Sequence, residues 1–341
     1  MNAFRAEHHT SHIACLCATR GIGRGIAIEL GRAGHTVYVL GRSSRSTGQT
    51  TDRALPDDMD LTIESAAEAV SSAGGKGIPL QCEVLQESSV QEAIATVASE
   101  QGRLDVLVCS AYTTPPGKLK ADFWTQGMSM WDAVNGVGLR SVYATCIAAV
   151  PLMIETAGAK ASGELSKPPL IALVSSFGGK AYTFNVAYGV GKAALDRLAI
   201  DMSIELRKVG VATTSLYPGL VKTESNLQLE ADGRRDSKLL GQGELTSACV
   251  KSPVLHSLPL AQALAALLAL DGEFLQQAIM ARSGKVEVVA ELAKEFGFTE
   301  EDGTRPASIR SLRYLLPNFV FPQFDELLLQ IEAQSEQPAK K

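Results

Sequence analysis

The chain has 341 residues, 45% of them hydrophobic, a net charge of −5 and six cysteines. That length suits one large α/β domain or two small ones, and the mild acidity gives nucleic-acid binding no electrostatic support. The cysteines, at 15, 17, 82, 109, 146 and 249, show no C-x-x-C spacing and complete no Cys/His cluster, so core thiols are expected rather than a metal site.

Residues 1–12 are polar and His-rich, without the apolar core of a signal peptide, and no uninterrupted apolar run nears the ~20 residues of a membrane helix. A cytoplasmic chain with no transmembrane segment is expected. From there apolar and amphipathic runs alternate. "HIACLC" and "HTVYVL" read as strands, with "GIGRGIAIELGRAG" between them as a helix closed by Gly34. "GIPLQCEV", "RLDVLVCSA", "PLIALVSS", "VATTSLYPG" and "GKVEVVAEL" read as further strands. Helical patterns fill the gaps at Ile63–Ala73, Val90–Glu100, Met130–Thr156, Val186–Val209 and Leu258–Leu268. Continuous apolar strands alternating with helices predict an α/β fold: a Rossmann-type, doubly wound parallel sheet with helices on both faces. The domain is expected over residues 12–300. Segment 43–60 reads as an inserted polar loop, and 222–253 as either a lid or a plain solvated connection. Residues 301–341 form a C-terminal extension with an apolar, Pro-broken cluster, "LRYLLPNFVFPQF".

The first strand runs into Ala18-Thr19-Arg20-Gly21-Ile22-Gly23 and then a helix. Glycines there let the backbone approach a pyrophosphate, and the helix N-terminus aims free N–H groups at it. The second strand ends in Leu40-Gly41-Arg42, with no Asp or Glu to bond an NAD ribose, while Arg20 sits in the glycine loop. Two guanidinium groups suit a 2′-phosphate by charge and by forked donors, so NADP(H) is expected over NAD(H). Farther on, Ser175-Ser176 lie at a strand's end, where a hydroxyl can polarise a carbonyl. Tyr188 and Lys192 are four apart and share one helix face. A free phenol, with pKa ~10, is a poor acid at neutral pH, and a nearby ammonium stabilises its phenolate.

These stretches resemble the short-chain dehydrogenase/reductase family. Its T-G-x-x-x-G-x-G fingerprint falls on Leu16, Cys17, Gly21 and Gly23, so a cysteine replaces the first glycine. The resemblance implies a Ser…Tyr-x-x-x-Lys centre of Ser176, Tyr188 and Lys192. Ser176 is favoured over Ser175 because it fits the S-S-x-x-G pattern with Gly179. Asn135 resembles the family's N-x-x-G asparagine, whose water links the lysine to solvent. Glu83 takes the place of an Asp near the adenine, and Cys109-Ser110-Ala111-Tyr112 that of N-N-A-G. Pro218-Gly219 matches the turn beneath the nicotinamide, and Val221 and Thr223 match residues meeting its carboxamide and phosphate. Tyr188 and Lys192 are implied to touch the cofactor as well.

"WDAVNGVGLRSVY", "FNVAYGVGKAALDRLA" and "VVAELAKEFGFTEEDG" are similar to a branch of the family that reduces steroids and other carbonyl compounds with NADPH, some of it associated with the endoplasmic reticulum. A small carbonyl or alcohol substrate and a homo-oligomer are therefore expected. Tyr112, Phe177, Tyr182, Phe184 and Leu220 are expected near the mouth. The rival expectation is a catalytically weak nucleotide-sensing or scaffold protein, prompted by Cys17, Cys109 and Ser110.

Overall fold

A computed structural model describes residues 10–49, 60–113, 115, 121–159, 167–219, 221, 223–224, 258–269, 273–299 and 308. Seven strands run β1 His12–Leu16, β2 Thr36–Gly41, β3 Lys76–Gln81, β4 Val106–Cys109, β5 Leu170–Val174, β6 Ala212–Tyr217 and β7 Val286–Val288. They form one sheet in the order β3-β2-β1-β4-β5-β6-β7, and every pairing is parallel. Pro79 lies in β3, an edge strand, where a missing N–H costs the ladder least.

Alternation along each strand builds two cores. Ile13, Val37, Val39, Val106, Leu170 and Ala172 face one layer, together with α1 (Gly21–Arg32) and α2 (Ile63–Ser72). On that layer also lie α7 (Leu258–Ala269), α8 (Glu273–Arg282) and α9 (Val289–Phe296). Ala14, Tyr38, Leu107, Ile171 and Leu173 face the other, against α3 (Glu87–Gln101), α5 (Ser141–Ala159) and α6 (Val186–Leu206). Each fully buried Leu or Ile contributes roughly 1.5–3 kcal/mol, which explains why the central strands carry almost nothing polar.

Two expectations are corrected. "GKVEVVAEL" is not one strand: only Val286–Val288 pairs, with β6, and the chain turns straight into α9. There Val289, Leu292 and Ala293 bury one helical face. The helix expected over Met130–Thr156 begins within α4 (Phe123–Asn135), which breaks at Gly127 (φ 66°), and a π-helical turn at Gly136–Arg140 separates α4 from α5. By length and composition alone that run, Phe123–Ala159, would pass for a membrane span, but α5 packs on α3 within the fold. Helix α8 had no counterpart in the sequence reading.

Two expected segments fall largely outside the described residues: 50–59 of the inserted loop, and 222 and 225–253 of the lid-like segment. Of the C-terminal extension, only Ser308 is described; its hydroxyl donates to Glu291. The near part of the inserted loop folds back through the Ser44–Gln49 bridge. Arg45 ties it to α2 by an ion pair with Glu68 and pairs with Asp60 at the loop's far end.

Candidate active site

The strand order reverses between β1 and β4, opening a crevice at the C-terminal ends of the strands. Cys17 turns the chain out of β1 with φ 57°, in the left-handed region that favours glycine. A side chain there costs about 1–3 kcal/mol. Burial pushes the Cys17 thiol up to about 12, so it stays protonated and unreactive at neutral pH. A Cβ on Gly23 would lie 2.4 Å from Ser110 Oγ and 2.6 Å from the Cys17 carbonyl oxygen. Ser110 donates to the Leu16 carbonyl at 2.7 Å, joining β4 to β1 beneath the loop. Arg24 donates to the Thr19 carbonyl at 3.2 Å and Ser65 Oγ at 3.0 Å, fixing the loop to α2.

At the entry to α1, Arg20 is the extended N-cap residue and Ile22 packs against the core. The N–H of Gly21 donates to both carboxylate oxygens of Glu224, at 2.9 and 3.1 Å. Thus an anion from the chain itself already occupies the first free amide of the helix, where the dipole favours negative charge. The cradle therefore fits a phosphate group: its leading amide holds an anionic partner and no side chain stands at 21 or 23.

Around it, Gly219 (φ 81°) turns the chain after Pro218, and Val221 is buried. Thr223 comes within 3.5 Å of where a Gly21 Cβ would stand. Arg42 and Glu83 face each other at 3.7 Å. The Cys109 side chain is buried, and its hydrogen bond with Cys146, with burial, raises its thiol pKa well above normal.

Asn185 builds the second half. It caps α6, its Oδ1 accepting from Tyr188 N at 2.9 Å. Tyr188 Oη then donates to Ser176 Oγ at 2.7 Å, and Gly178 N donates to the same oxygen at 2.9 Å. Both lone pairs of Ser176 are engaged, which leaves its own proton for an incoming oxygen. Ser175 is buried and donates to the Lys192 carbonyl at 3.1 Å, a structural role, so the geometry favours Ser176. A Cβ on Gly178 would stand 2.5 Å from the Tyr188 ring.

Lys192 Nζ donates to the Val174 carbonyl at 2.9 Å and lies 5.8 Å from the Tyr188 ring centroid and 5.6 Å from that of Tyr112. Burial lowers its pKa to about 8, with Asp196 opposing the shift. Asp196 in turn accepts from Ser215 at 2.7 Å and from the Tyr217 hydroxyl, holding α6 to β6.

Asn135, at the junction of α4 and the π turn, donates to the Ala187 carbonyl at 3.3 Å. Its buried Oδ1 has no protein partner and points at α6, 2.3 Å from where a Gly191 Cβ would be. With Tyr112, Val134, Gly138, Tyr188, Gly191 and Lys192 it lines a small cleft of about 10 Å³, near the size of one water.

Tyr112 and Phe184 meet Tyr188 edge-on at 5.5 and 5.1 Å, and Tyr182 is exposed. Phe177 packs instead with Tyr217 and Val288, and Leu220 lies outside the described residues. Among the described residues no group of His, Cys, Asp and Glu is arranged to hold a metal.

The short chain dehydrogenase profile matches residues 11–233. The chain belongs to the short-chain dehydrogenase/reductase family. "Dehydrogenase/reductase SDR family member 1" of mouse is 36% identical over 304 residues, covering 88% of this chain and 86% of the relative. Its human counterpart is 36% identical over 308 residues, with the same coverage. These two matches place the chain in their branch of the short-chain dehydrogenases. A crystal structure of a short-chain type dehydrogenase/reductase from Mycobacterium marinum shares the fold at TM-score 0.59 and 20% identity, covering 82% of this chain and 93% of that one. So does "NADH-dependent reductase A1-R'", solved as a complex with NAD, at TM-score 0.57 and 18% identity, covering 82% and 94%.

Of the residues singled out in the sequence, the structure brings Tyr188, Lys192 and Asn135 together around one cleft, with Ser176 hydrogen-bonded to Tyr188. Gly21, Ile22, Gly23 and Thr223 lie about the α1 N-terminus, while Arg42 and Glu83 pair at the edge. Sequence reasoning missed Arg24, Asn185, Asp196 and Glu224. The Asn three residues before Tyr188 was the one signal that could have been caught, as a helix cap.

Proposed function

We propose that this oxidoreductase reduces a ketone or aldehyde to the alcohol with NADPH, through Ser176, Tyr188 and Lys192. The observation that carries the reading is the 2.7 Å hydrogen bond between Tyr188 Oη and Ser176 Oγ, with the Lys192 ammonium buried beside the same ring. The cofactor supplies the hydride when bound. Gly21, Ile22 and Gly23 would hold its phosphates. Arg20 and Arg42 would meet a 2′-phosphate, and Glu83, Pro218, Gly219, Val221 and Thr223 would line the rest.

Ser176 donates its remaining proton to the substrate oxygen and polarises the carbonyl. Tyr188 transfers the phenolic proton to the developing alkoxide, and the Lys192 charge stabilises the phenolate left behind. Asn135, with an open acceptor in the one-water cleft, supports a proton path from Lys192 outward. The aromatic edge formed by Tyr112 and Phe184 favours an apolar substrate. We assign the chain to the cytoplasm, with association to the endoplasmic reticulum as in its resembled branch.

Tyr188→Phe is expected to lower NADPH consumption with a ketone panel by at least 100-fold, while NADPH still raises the unfolding temperature. Full activity in that variant would overturn the assignment. The strained Cys17 and buried Cys109 support a second reading, a weakly catalytic nucleotide sensor. It predicts NADPH binding without turnover of any carbonyl in the panel.

A further inference from the structure

We infer that Glu224 sets the affinity of this chain for its dinucleotide, by occupying the place where a cofactor phosphate binds. The inference rests on the cofactor reading above and adds a competitor to it. Glu224 is 203 residues from Gly21 in sequence, yet both its oxygens accept from that one amide, at 2.9 and 3.1 Å. The side chain is 6% exposed, so the contact is built into the fold and not a chance surface pairing. The local backbone delivers it: Thr223 N donates to the Val221 carbonyl at 2.9 Å, a tight turn that swings residue 224 onto the head of α1. Arg24, one turn along α1, adds a favourable charge interaction.

Physical conflict follows. A phosphate seated on the Gly21 amide and a carboxylate at hydrogen-bond range of the same donor cannot coexist, because like charges so close repel strongly and only one can take the N–H. Glu224 therefore withdraws before the phosphate enters. Dinucleotide binds only to the fraction of chains in which it has done so, and the apparent affinity falls by that fraction. In the ligand-free chain the same carboxylate satisfies the orphan amide and the positive end of the helix dipole.

The test is calorimetric titration of the purified full chain, wild type and Glu224→Gln, with NADPH, ADP and adenosine. Replacing the charge-assisted bond by a neutral one should tighten NADPH and ADP by about tenfold. Adenosine, which carries no phosphate, should bind both proteins equally. Without ligand, Glu224→Gln should unfold at a lower temperature than wild type. Glu224→Asp keeps the charge but is one methylene short, and it should also tighten NADPH; it serves if the Gln variant fails to fold. Unchanged or weaker NADPH binding by a folded variant, beside a wild type that binds, overturns the inference and leaves the cofactor reading intact. A wild type that binds none of NADPH, NADH and ADP overturns both.

Discussion

Lys192 carries the sharpest tension at the level of single residues. Its ammonium is buried, its pKa is held to about 8, and its Nζ lies 5.6 and 5.8 Å from the centroids of two tyrosine rings. The folded value lies below the unfolded one of about 10.4. Keeping the proton in the native state is thus unfavourable. That penalty is complete below about pH 8 and fades as pH rises towards 10.4, where the unfolded chain holds the extra proton. Lys192→Met should accordingly raise stability at pH 7 by about 1–3 kcal/mol in urea unfolding while abolishing turnover. In the wild type, ketone reduction should decline as pH rises through about 8, in a profile of kcat/KM against pH. The pairing of Tyr188 with Lys192 was visible in the sequence because four residues on a helix always share a face. Glu224 and Asp196 were not, because their partners lie 203 and 19–21 residues away and only the folded sheet brings them close.

Helices α4 to α6 turn those residues into a site. Asn185 gives the Tyr188 N–H an acceptor at the first turn of α6, so the ring leaves the helix at a defined angle towards Ser176. Asn185→Ala should cost about 1 kcal/mol in thermal or urea unfolding and lower kcat more than it raises KM. Asn185→Ser, which retains a capping oxygen, should restore most of both. The π turn at Gly136–Arg140 inserts extra chain just after Asn135 and so re-aims the following helix. Nothing in the spacing of "NGVGLR" reveals it, since one widened turn leaves the apolar pattern on either side almost unchanged. The misread strand at "GKVEVVAEL" has the opposite cause. Val286, Val288 and Val289 look like one β-branched run, but packing of Val289 and Leu292 into the α1–α2 layer pulls the second half into a helix.

Viewed whole, the molecule presents apolar stripes on two outer helices. Tyr143, Ile147 and Ile154 are exposed along α5, and Ile200 and Ile204 along α6, at helical spacing. A second copy of the chain is the expected occupant, as the family resemblance implies. Sedimentation should report a dimer or tetramer, and Tyr143→Glu combined with Ile204→Glu should shift it to monomer with the far-ultraviolet dichroism unchanged. The sheet order was readable at this scale, because runs buried on both faces and separated by helices admit few topologies. The boundaries of the active cleft were not, since they depend on how closely two helices approach. That approach is set at Gly191, whose bare α-carbon leaves room for Asn135 Oδ1 only 2.3 Å from where a Cβ would stand. One added methyl would act as a shim between the two helices. It would lift the asparagine off the lysine's side of the cleft while leaving the serine–tyrosine contact in place. In the proposed mechanism, proton resupply and proton delivery would then be mechanically separable, with a single missing carbon as the seam between them.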